Sequence, residues 1–229
     1  MLITDYLPKG FSCAGCGLAA WKTVCEECKE NLRWNSELLS SPVCELEAIA
    51  PLLFSFSRAQ ALIRRFKEQG GVDLKKTLFR INEPLKFKLM ETHFFAVVPI
   101  PQDQSRSFRR GHESALSIAR FFSRELGIPL LRLLKLPRGQ SKQITGLQKF
   151  EREWAINPFL YTSQDSPLVF MDLLEEKVNQ RKEVRILLVD DLITSGSTLS
   201  KACSTLKETY PHFKIWGGGI GYRPGRQYQ

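Results

Sequence analysis

Residues 185–199 read RILLVDDLITSGSTL, and this stretch decides the architecture. Four consecutive aliphatic residues, Ile186 to Val189, suit a strand buried on both faces, and Asp190 and Asp191 mark its carboxyl end. Thr194, Ser195, Gly196, Ser197 and Thr198 follow at once. They lead into Leu199, Ala202, Cys203 and Leu206, spaced i, i+3, i+4, i+7 as on one face of a helix. In open α/β sheets ligands bind at the carboxyl ends of strands, and a helix N-terminus offers its amides to an anion. Gly196 lets the backbone close around a phosphate, and the hydroxyls donate to its oxygens. Ionised carboxylates only accept, so Asp190 and Asp191 suit a pair of vicinal hydroxyls. The pattern asks for a ribose phosphate. A plain turn with an N-capped helix needs only Ser197 or Thr194, and leaves the second aspartate and the other hydroxyls without a purpose.

Two other nucleotide-binding patterns are excluded. No lysine sits in this loop and no Gly-Lys-Ser/Thr follows, so it is not a Walker P-loop. Glycines 217, 218, 219 and 221 open no helix and do not make a dinucleotide fingerprint.

Working outward, residues 57–69 show Ala61, Leu62 and Phe66 at helical spacing, with Arg64, Arg65 and Lys67 largely elsewhere. Residues 94–100 read as a strand ended by Pro99 and Pro101. A helix is expected over 113–126, closed by Gly127 and by Pro129 just beyond. Residues 137–147 lack a period and read as a mobile loop, and a final strand falls at 214–220. Strands alternating with helices predict an α/β fold with a parallel sheet flanked by helices, over residues 50–229. No apolar run approaches membrane-spanning length, and the first residues show no signal-peptide pattern. A cytoplasmic protein with reduced cysteines is the expectation.

The net charge is +9 and uneven. Residues 57–90 hold nine basic against three acidic side chains, and residues 104–152 hold eleven against three. Such segments serve nucleic acid, a small polyphosphate, or nothing beyond a solvated surface. Within them Arg106, Arg109 and Arg110 follow a strand end closely, and guanidinium forks suit a pyrophosphate. Phe66, Phe79, Phe87 and Phe108 are interleaved with the basic residues, and most are expected in the core. The three histidines form no triad, so a hydrolase is not indicated, and His112 reads as a polar turn residue.

Residues 1–45 are cysteine- and glycine-rich. Cys13, Cys16, Cys25 and Cys28 form two C-x2-C knuckles separated by a short spacer. Four thiolates suit tetrahedral zinc, and a closed shell of four is structural rather than catalytic. Two disulfides or an iron–sulfur cluster are alternatives, the former disfavoured in a reducing compartment. A four-cysteine zinc module of this size needs its metal, which supplies on the order of 10 kcal/mol in small domains. Cys44 and Cys203 stand outside the pattern, and Cys203 reads as a small buried side chain.

Residues 189–198 resemble the phosphoribosyl-pyrophosphate (PRPP) signature of type I phosphoribosyltransferases, with Ser195 where threonine is usual. The resemblance implies that Asp190 and Asp191 contact the ribose hydroxyls, that Thr194 to Thr198 hold the 5′-phosphate, and that Mg²⁺ accompanies PRPP. Together with the cysteine knuckles, the Arg-Arg-Gly segment at 109–111, QITGL at 143–147 and Arg65-Phe66-Lys67, nearly the whole chain resembles the ComF family. That is a competence-associated group of phosphoribosyltransferase-like proteins that includes GntX-like members. His112-Glu113 replaces the family's usual Phe-Asn, and Ala155 stands where asparagine is usual, three residues beyond Arg152. The resemblance implies a phosphoribosyltransferase-like fold behind a zinc module and a role in DNA uptake during natural transformation. The activity it implies is phosphoribosyl transfer to an unidentified acceptor, with release of pyrophosphate. The contrasting reading is an accessory protein without turnover, sensing PRPP or binding single-stranded DNA. No catalytic nucleophile or general base is evident in either case.

Overall fold

The computed structural model describes residues 12–18, 20, 22–34, 39–40, 47–53, 57–102, 108–136, 160–161, 168–180, 182–194 and 196–222. In chain order these form α1 (Glu26–Glu30), β1 (Arg33–Trp34), β2 (Leu39–Ser40), β3 (Glu47–Ile49) and β4 (Leu52–Leu53). Next come α2 (Ser57–Gln69), α3 (Val72–Leu78), α4 (Glu83–Glu91), β5 (Ala96–Pro99), α5 (Ser114–Leu126), β6 (Leu134–Lys135) and β7 (Leu160–Tyr161). The rest are α6 (Leu168–Asn179), β8 (Val184–Val189), β9 (Leu192–Ile193), α7 (Ser197–Thr209), β10 (Phe213–Gly218) and β11 (Gly221–Tyr222).

The main sheet has the order β2-β3-β10-β8-β5. Its β3, β10, β8 and β5 neighbours run parallel, and β2 adds an antiparallel edge. β8 reads as an aliphatic run because both its faces are covered. Leu187 and Val189 join the core beneath α2, α3, α4 and α5, together with Val97 of β5. Val184, Ile186 and Leu188 join the opposite core, with Ala96, Val98, Met171 and Leu174. Leu199, Ala202, Cys203 and Leu206 of α7 also lie in that second core, as the helical spacing predicts. The expected helices at 57–69 and 113–126 correspond to α2 and α5.

A smaller sheet, β1-β4-β11-β9, lies just beyond the ends of β8 and β10, because β9 follows Asp191 and β11 follows Ile220. Strands β1 and β2, drawn from the cysteine-rich section, pair with β4 and β3. The cysteine loop also shares a core with α2: Cys13, Ala14, Val24 and Cys28 pack with Leu62, Ile63 and Phe66. The compositional boundary near residue 45 is therefore crossed by strand pairing and by apolar contact.

Of the four phenylalanines, Phe66 is fully buried and Phe79 packs on it edge-on at 5.3 Å, whereas Phe87 and Phe108 are 63% and 91% exposed. These last two are not core residues. Among the described residues no helix is long and apolar enough to cross a membrane. The expected loop at 137–147 lies outside the described residues.

Candidate functional site

The site begins where β8 stops. Asp190 donates its backbone N–H to the Gly218 carbonyl (2.8 Å), and Ile220 donates to the Asp191 carbonyl (3.2 Å). The end of β10 thus holds the backbone of the aspartate pair. Glycine leaves room for the packing beside it, since a Cβ would lie 3.0 Å from Leu187 at Gly218 and 3.0 Å from Ile193 at Gly219.

The two carboxylates have different surroundings. Asp191 is buried, and its Oδ1 accepts the Lys67 ammonium of α2 at 2.9 Å. Its Oδ2 accepts the Ser114 hydroxyl at 3.0 Å and the Gln102 amide at 3.3 Å. Gln102 and Ser114 are joined in turn, Ser114 donating its backbone N–H to Gln102 Oε1 at 2.9 Å. Residues 102 and 114 bracket the arginine segment, so both its ends are fastened to one carboxylate. Asp190 is half-buried; its Oδ1 accepts the Asp191 N–H at 2.7 Å, and its second oxygen accepts no hydrogen bond from the described residues. Loss of hydration, then the charge of Asp191, push the Asp190 carboxyl up to about 7, against the Asp191 N–H and Lys67, which pull it down.

Gly196 is the N-cap of α7 at φ 71°, a left-handed conformation that suits glycine, so no side chain of the capping residue itself occupies the first turn of this 13-residue helix. Thr194 and Thr198 are exposed and Ser197 is half-buried; Ser195 lies outside the described residues. Asp190, Asp191 and the 194–198 turn therefore share one strand-to-helix connection through β9. Arg109 is exposed and Arg110 half-buried on a helical turn at 108–110, while Arg106 lies outside the described residues.

Nothing in the sequence groups Lys67, Gln102 and Ser114. Lys67 sits in the basic-aromatic-lysine stretch, but its partner is 124 residues away. His112 is not a simple turn residue. Its ring lies 5.6 Å from that of Phe66, Nδ1 is 3.2 Å from the Arg110 carbonyl, and buried Nε2 has no hydrogen-bond partner among the described residues.

The cysteine cluster is built separately. The sulfurs of Cys13, Cys16, Cys25 and Cys28 lie within 4.8 Å of one another, and those of Cys16 and Cys25 are 3.8 Å apart. A tetrahedron with Zn–S of about 2.3 Å places its sulfurs about 3.8 Å apart, so the group fits a metal such as zinc. Burial opposes ionisation of Cys13, yet N–H groups of Cys25, Cys16 and Gly15 bring it down to about 6. Burial, then the neighbouring sulfurs, drive the Cys28 thiol well above its ordinary value. One thiolate forms readily while its neighbour resists, and a bound cation removes that conflict. A side chain at Gly15 would place its Cβ 2.8 Å from Cys28 Sγ, so glycine is required there.

No family-level model matches the chain. It is 29% identical to "Competence protein F" of Haemophilus influenzae over 162 residues, 68% of this chain and 65% of that protein. It is 27% identical to "Competence protein ComFC" of Bacillus subtilis over 146 residues, 64% of this chain and 52% of that protein. Both matches support the resemblance to the ComF family. The matched stretch spans between about half and two thirds of these relatives' own length.

Two measurements test this site. Atomic absorption of the purified chain should give one zinc per molecule, and Cys28→Ser should lose it. Since Cys28 packs in the same core as α2, metal loss should lower the melting temperature of the whole fold, not only of residues 13–28. The second concerns pH. Unfolded, Asp190 releases its proton near pH 4; folded, near pH 7, so folding retains a proton between these values and Asp190 costs stability as pH rises through them. Asp190→Asn should gain on wild type from pH 4 to 7 and hold a plateau above, reaching about 1–4 kcal/mol in urea unfolding at pH 8.

Proposed function

We propose that the chain binds a 5-phosphorylated ribose, PRPP foremost, at the connection from β8 to α7, and that it serves DNA uptake. The observation that carries the reading is the open carboxylate of Asp190, one strand end away from a hydroxyl-rich turn capped by left-handed Gly196. In this reading the sheet is of the type I phosphoribosyltransferase kind. Thr194, Ser195, Ser197, Thr198 and the first turn of α7 take the 5′-phosphate. Asp190, with Asp191 behind it, takes the ribose hydroxyls, and Arg106, Arg109 and Arg110 neutralise pyrophosphate from a loop fastened to the same site. Mg²⁺ would arrive with the diphosphate, and Asp190 is the carboxylate left open toward it.

Such a site would act by positioning and charge. As the C1′–O bond to pyrophosphate breaks, its electron pair leaves with pyrophosphate, and an acceptor atom bonds to C1′. The acceptor supplies the proton that is lost. The competence-protein matches support the DNA-uptake role.

A second reading, an accessory protein that binds single-stranded DNA, has its own observation. A cleft of ≈ 620 Å³ between the cysteine loop, α2 and α3 is lined by Lys22, Lys29, Arg65, Lys76 and Arg80, with Asp73 the acidic residue among its lining. Exposed Phe108 beside Arg109 offers a stacking face.

Calorimetry with PRPP and Mg²⁺ separates the two readings. PRPP should bind, and Asp190→Ala should weaken it at least tenfold without unfolding the protein. If folded, metal-loaded wild type ignores PRPP and instead binds oligothymidine with an affinity that falls steeply with salt and with Lys76→Glu/Arg80→Glu, the second reading replaces the first.

A further inference from the structure

We propose that Lys67 is a positioning residue of this site: it fixes Asp191 as the inner member of the carboxylate pair and leaves Asp190 as the member that receives a sugar's hydroxyls. The inference rests on the ribose-phosphate reading and deepens it.

The division of labour follows from where the donors are. A carboxylate has room for about four hydrogen bonds, and Asp191 already accepts three, from Lys67, Ser114 and Gln102. Its side chain is only 10% exposed. One position on Oδ1 is left and is largely screened from solvent, so a sugar could bind Asp191 through both hydroxyls only by displacing one of the groups already there. Asp190 has accepted one hydrogen bond, from a backbone N–H on its own loop, and keeps an oxygen with no partner among the described residues. Both hydroxyls of a vicinal diol are then drawn to a single carboxylate.

Lys67 is held firmly enough to enforce this. It follows Phe66, which is fully buried between α2 and the rings of Phe79 and His112. Its side chain remains about one third exposed. Among the described residues Asp191 is the acid it pairs with. Lys67 also faces outward enough for its other N–H groups to meet an oxyanion entering beside Asp190.

The test compares wild type, Lys67→Met, Lys67→Arg, Asp190→Asn and a Lys67→Met/Asp191→Asn pair, using calorimetry with ribose 5-phosphate and thermal unfolding of the full chain. Asp190→Asn should weaken binding at least tenfold with an unchanged or higher melting temperature. Lys67→Met should weaken binding severalfold and lower the melting temperature. Lys67→Arg, which keeps the charge, should restore most of the affinity, and neutralising both partners should recover stability lost by Lys67→Met alone. Wild-type affinity in Lys67→Met, or lost affinity in Lys67→Met that Lys67→Arg fails to restore, overturns the role of Lys67. A folded wild type that binds neither ribose 5-phosphate nor PRPP overturns the ribose-phosphate reading, and with it the sugar-facing part of this inference.

Discussion

A carboxylate taken out of water must be met by donors, and Asp191 meets them from three separate parts of the chain. Lys67 comes from the second helix, Gln102 from the residues after β5, and Ser114 from the first turn of α5. Removing Lys67 would leave Asp191 with two neutral donors and no counter-charge, which is destabilising for a carboxylate so little exposed. The arrangement therefore behaves as one unit. It ties the carboxyl end of the central strand to the helical layer above it, and it fixes the ends of the segment that carries the arginines.

That unit marks the limit of what the sequence can tell. The strand at 184–189 and the helices at 57–69, 114–126 and 197–209 are legible because each long element carries its burial in its own spacing, as Leu199, Ala202, Cys203 and Leu206 do. The two-residue strands β1, β2, β4, β9 and β11 are not, since two residues cannot display an alternation. The adjacent aspartates look equivalent as letters. Only the arrival of Lys67, Gln102 and Ser114 from distant parts of the chain makes one an anchor and leaves the other open. His112 departs from its expected role for a similar reason: its ring is placed by Phe66 and Gly70, and nothing local announces that contact.

The cysteine cluster gives the reverse lesson. Its ligand set is legible from spacing alone, and the structure brings all four sulfurs together. What spacing cannot convey is how closely the loop joins its neighbour, since Cys28 lies under Gly15 and Leu62 of α2 lies just beyond. Through α2 the cluster is continuous with Phe66, and Phe66 adjoins Lys67. A metal held there would steady the helix that reaches the candidate site, as well as the turn that binds it.

The strand order has a consequence for how the chain is made. β10 lies between β3 and β8, and β11 lies between β4 and β9, so the strands at 47–53 have their parallel neighbours at 213–222. During synthesis the early strands emerge long before the segment that pairs with them. Until then their edges stand open, and parallel pairing over so long a separation closes slowly. A nascent chain stopped short of residue 213 would carry β8 and its aspartates without the glycine-rich strand that holds their backbone. For this fold the strands at 213–222 act as its keystone, because each of the two sheets is joined through one of them.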